Sequence, residues 1–117
     1  MSEETITNKI RRFTETDWYG WGGCERFKDG SEPFVYEHNL NNGETGVIIL
    51  ADATGVAIYV GEDEDLCWVV NKPLNPIRAE GYMLALTRII KNYSYAPELV
   101  YDLDHKVHEE FKEFDPN

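Results

Sequence analysis

The hydrophobic rhythm of the chain changes twice. Ile6, Ile10 and Phe13 recur at intervals of four and three, the spacing of one helical face, which predicts a short amphipathic helix over about 3–12, within an N-terminal segment 1–14. Ser2 stands where an N-cap would, and Glu3 and Glu4 suit the positive end of a helix dipole. From residue 17 to residue 71 the punctuation becomes that of strands. Asp29-Gly30 and Asn41-Asn42-Gly43 are hairpin signals, and Ala53-Thr54-Gly55 and residues 61–64 supply two further turns. Five strands are predicted between them, over 18–27, 32–40, 45–52, 55–60 and 65–71. Every connection is short, so consecutive strands should pair antiparallel as a meander.

The rhythm then returns to that of helices. Asn75-Pro76 combines a favoured N-cap with the residue favoured at the first helical position. Ala79, Tyr82, Met83, Leu86, Ile89, Ile90 and Tyr93 follow on one face. After a turn at 94–96, Pro97 suits a second start, and Val100, Leu103, Val107, Phe111 and Phe114 form an apolar stripe; an extended 98–101 is the alternative for its beginning. The two C-terminal helices occupy 75–114. The expected fold is therefore α+β, in the order α-β-β-β-β-β-α-α. It is a five-stranded antiparallel meander with a short N-terminal helix and two C-terminal helices, in a single domain spanning 1–117.

Strand patterning says what must be covered. Phe34, Tyr36, His38 and Leu40 alternate with Val35, Glu37 and Asn39, whereas the next three strands are apolar on both sides. Val47, Ile49 and Ala51 oppose Ile48 and Leu50; Leu66, Trp68 and Val70 oppose Cys67 and Val69. Two C-terminal helices can cover one face, which leaves only the short N-terminal helix for the other. A second copy of the chain is the expected supplement, and Ile77 and Leu84, together on the polar side of the first C-terminal helix, are the candidate self-association residues.

Composition narrows the function classes. With 11 Lys and Arg against 22 Asp and Glu, the net charge is −11, which opposes nucleic acid and anionic membrane surfaces and favours a basic protein surface as partner. The first residues lack the apolar core of a secretory signal, and no apolar run approaches the ~20 residues that span a bilayer. Cys24 and Cys67 lack CxxC spacing and read as thiols in a reducing, cytoplasmic setting.

Candidate chemistry is sparse. In the aromatic-glycine segment 18–23, Tyr19 and Trp21 would share a strand face and stack on a sugar or base, the alternative being a bent strand in which glycines let large rings pack. Glu98, Asp102, Glu109 and Glu113 would form an acidic stripe on the last helix, suited to a basic partner. His105 and His108 offer a cation two imidazoles and nearby carboxylates, but no HExxH and no third ligand segment accompany them. His38 reads as a hydrogen-bonded core histidine, and the four carboxylates of 62–65 as a solvated hairpin tip without calcium-loop spacing. Neither a catalytic set nor a cofactor motif is evident. The expected function is a non-enzymatic, self-associating protein-interaction module, the alternative being a small-molecule or carbohydrate-binding domain built on 18–23.

Overall fold

A computed structural model describes residues 10–40, 45–61, 67–93, 96–103 and 105. Five antiparallel strands stand in chain order, as expected: β1 (Arg11–Arg12), β2 (Phe34–Leu40), β3 (Thr45–Asp52), β4 (Gly55–Val60) and β5 (Cys67–Val70). Among the described residues three helices accompany them, α1 (Glu15–Gly20), α2 (Pro76–Ile90) and α3 (Ala96–Asp102). The α+β class and the C-terminal helices agree with the sequence reading. The first strand does not.

Residues 18–27 are not a strand; the segment opens as α1, and the edge strand of the sheet is β1 instead. Local chemistry explains the exchange. The Asp17 carboxylate accepts from the Thr14 backbone N–H at 2.7 Å and the Thr14 hydroxyl at 2.9 Å, ties that fix a helical first turn. Arg11 donates to the same carboxylate at 2.6 Å, and its guanidinium, with Thr14, holds the Asp17 carboxyl well below the usual range, at about 2. The expected N-terminal helix over 3–12 lies mostly outside the described residues, but its last two positions, Arg11 and Arg12, are extended and pair with Val35 and Phe34. The turn expected at Asp29-Gly30 is present, with Gly30 at a φ of +88° that only glycine adopts without cost.

One face of the sheet meets α2 and α3. Asn75 caps α2 by accepting from the Arg78 N–H at 2.8 Å, and the predicted stripe turns inward at Ala79, Tyr82, Met83, Leu86 and Ile90. These pack on Tyr36, Val47, Ile49, Val56 and Ile58, with Leu99 and Leu103 closing the layer. Each such aliphatic burial is worth roughly 1.5–3 kcal/mol. The last helix turns Val100 and Leu103 to the core as predicted, but its inward side is wider than expected and also buries Leu99 and Asp102.

Candidate functional site

The second face carries a concave site whose geometry begins with a hairpin. Asp52-Ala53-Thr54-Gly55 joins β3 to β4, with Asp52 paired to Gly55. The Asp52 carboxylate is buried, yet one oxygen accepts from the Thr54 N–H (2.8 Å) and hydroxyl (2.7 Å). Its other oxygen accepts from the Glu25 N–H at 2.8 Å, which staples the segment after α1 to the hairpin. Gly55 has a φ of +152°, and a side chain there would run into the Val70 carbonyl, so β5 can close on this turn only across a glycine.

The staple delivers residues 18–24 onto the second face, where Phe13, Val35 and Leu50 are buried beneath Trp18, Trp21 and Cys24. Trp18 meets Phe13 edge-on at 5.2 Å. Its indole N–H donates to Glu32 at 2.8 Å, and the Arg26 guanidinium lies over its ring. Trp21 meets Tyr59 edge-on at 5.6 Å. The face expected to need a second copy of the chain is thus covered largely by the chain itself.

Cover is incomplete at β5. A register shift between Val56 and Ala57 places both Val69 and Val70 in the core of the first face, so the expected alternation of Val69 against Trp68 and Val70 fails. Trp68 alone is left opposite Ala57, 39% exposed. The result is a partly open pocket of about 110 Å³, lined by Trp21, Gly23, Cys24, Leu50, Asp52, Ala57 and Trp68. Burial pushes the Cys24 thiol up to about 12, and the charge and hydrogen bond of Asp52 reinforce the shift. A thiol held protonated is a poor nucleophile. The Asp52 oxygens, already engaged by backbone and hydroxyl donors, are poorly placed to move a substrate proton.

The residues singled out from sequence are dispersed. Tyr19 is 88% exposed on α1 while Trp21 is half-buried at its end, so they form no common platform, because helical residues two apart point in divergent directions. Glu98 is exposed, but Asp102 is buried and accepts from the Tyr93 hydroxyl at 2.6 Å. The acidic stripe is broken there, and Glu109 and Glu113 lie outside the described residues. His105 stacks on Tyr101 at 4.0 Å with its Nδ1 2.7 Å from the Tyr101 carbonyl oxygen; His108 lies outside the described residues. Among the described residues, no three His, Cys, Asp or Glu side chains converge to hold a metal. His38 is half-buried, its ring nearly parallel to that of Tyr36 at 6.2 Å. Ile77 and Leu84 are exposed on α2.

Sequence reasoning missed Asp52, Cys24, Trp68 and Ala57. One signal was available: an aspartate that interrupts strands apolar on both faces must be buried with partners. Comparison of the sequence with models of known protein families finds no match, and neither comparison with curated proteins nor comparison with solved structures finds one. Among the described residues, no helix is long and apolar enough to cross a membrane.

Proposed function

We propose that the chain is a non-enzymatic protein-interaction module that pairs with a second copy of itself through the outer side of α2. The observation that carries this reading is the exposure of two aliphatic side chains on that side, Ile77 at 76% and Leu84 at 43%. The charges around them are self-complementary. Glu80 lies four residues before Leu84 and Arg88 four residues after it, both exposed. In an antiparallel pairing of two α2 helices about a twofold axis at Leu84, each Glu80 meets the Arg88 of the other copy. Ile77 then packs on the aliphatic stem of Lys91. A protonated Cys24 and a fully engaged Asp52 support binding rather than catalysis as the module's work. The net charge of −11 favours a basic surface as any further partner, and cysteines that form no disulfide among the described residues suit a reducing, cytoplasmic setting.

Sedimentation equilibrium at micromolar concentration is the test. The expected species has twice the 13.5 kDa mass of the chain, and Leu84→Glu returns it to the monomer by placing like charges at the axis. A wild-type monomer, or a dimer unchanged by Leu84→Glu, refutes the reading.

A further inference from the structure

The slot between the two tryptophans is a site of a different kind, on the face of the sheet opposite α2. Three features distinguish it from a packing fault. Its lining joins two indoles, Trp21 and Trp68, to a small residue, Ala57, which pairs with Trp68 across β4 and β5. The exposure of Trp68 is set by the register shift in β4–β5, which turns Val70, its same-side neighbour under regular alternation, to the other face, and such irregularities commonly re-aim side chains at sites. Its polar end is already engaged, because Asp52 accepts from the Glu25 N–H and from Thr54 twice.

We infer that this slot binds a small, neutral, single-ring aromatic molecule. Size sets the ring count: about 110 Å³, open on one side, compares with the dry cavity of about 150 Å³ that accepts benzene. The two indoles offer edge and face contacts to a ring. Neutrality follows from the polar end. An anion would meet the buried Asp52 carboxylate, and a cation would have to compete for it with the three protein donors that already hold it. A free molecule fits better than a peptide side chain, since a docked peptide would bury backbone N–H and C=O groups against a lining that is mostly apolar.

The three tryptophans supply both probe and control. The full-length ¹⁵N-labelled chain is titrated with toluene while the three indole N–H resonances are followed. Trp21 and Trp68 are expected to shift saturably, with one common dissociation constant. Trp18, whose N–H is held by Glu32 at 2.8 Å, stays in place. Trp68→Ala removes one lining indole and should weaken binding about tenfold. Ala57→Val enlarges the small lining residue and should abolish it. The inference is overturned by shifts that do not saturate, by equal movement of all three indoles, or by undiminished affinity in a folded Trp68→Ala or Ala57→Val variant. Saturable shifts with a phenylalanine-containing peptide but not with toluene would also overturn it, in favour of a protein interface. Because the slot lies away from α2, a monomer in sedimentation leaves this result untouched, and an empty slot leaves the dimer untouched.

Discussion

On one face of the sheet, Ile49 and Ile58 meet Leu86 and Ile90 with every side chain at most 1% exposed. On the other, Leu50 and Val35 lie beneath Trp18, Trp21 and Cys24, themselves only half-buried. The first layer is assembled by helices whose apolar stripe matches the sheet, and it needs few polar ties. The second is a short helix and an irregular segment that bury little by themselves. Polar links hold it: Arg11 to Asp17 and Glu37, Trp18 to Glu32, and Asp52 to the Glu25 backbone. A cover held at a few points can leave a gap, and the slot is that gap. Apolar area seals a surface, whereas directional bonds position a segment and leave its packing free to be imperfect.

The contrast can be broken at each face in turn. Leu86→Ala, in the middle of the first layer and fully buried, should cost about 2–5 kcal/mol in chemical denaturation, because the lost contacts and the cavity add together. A loss below about 1 kcal/mol would mean that the helical layer is looser than its burial implies. Asp52→Ala strips three protein donors of their acceptor and should cost about 1–3 kcal/mol. It should also raise the accessibility of Trp21 to acrylamide quenching while the circular dichroism of the helices is retained.

A smaller effect comes from acid. The folded-state pKa of Asp17 is lowered from 3.8 to about 2, so its stabilising contribution is complete above about 4 and is lost as pH falls towards 2. Asp17→Asn should cost about 1 kcal/mol at neutral pH and should flatten the loss of stability between about pH 4 and pH 2. An unchanged acid limb in the variant would show that Asp17 does not anchor α1. The smallest effect on the fold is expected from Leu84→Glu, within about 0.5 kcal/mol for the isolated chain. A larger cost would show that α2 uses its outer side for folding, which sharpens the distinction between the layer that folds and the surface that pairs.

Much of the architecture was legible in the residues alone. Short connections dictated the meander from β2 to β5, and Asn75-Pro76 with its following stripe dictated α2 and its inner face, since hairpin geometry and helix capping are local physics. The exposure of Ile77 and Leu84 followed from the same periodicity. What misled was equally local in appearance. The aromatic residues at 18–21 carry β propensity, but the helical first turn there depends on Asp17 being engaged at once by Thr14 and by Arg11, which arrives on an adjoining strand.

The candidate slot was hidden for a stronger reason. Trp21 and Cys24 come from the segment after α1, Leu50 and Asp52 from β3, Ala57 from β4 and Trp68 from β5, and no spacing rule relates them. Sequence by itself determined the α+β class, the antiparallel order of β2 to β5, and which side of α2 faces inward. Tertiary structure alone decided that β1 is the edge strand and that Asp102 turns in to Tyr93. It also decided that the chain covers its own second face and that a one-residue shift in β5 leaves Trp68 standing over Ala57. Elements form from interactions a few residues apart, whereas a register shift and a buried carboxylate are settled only when strands distant in sequence compete for the same neighbours.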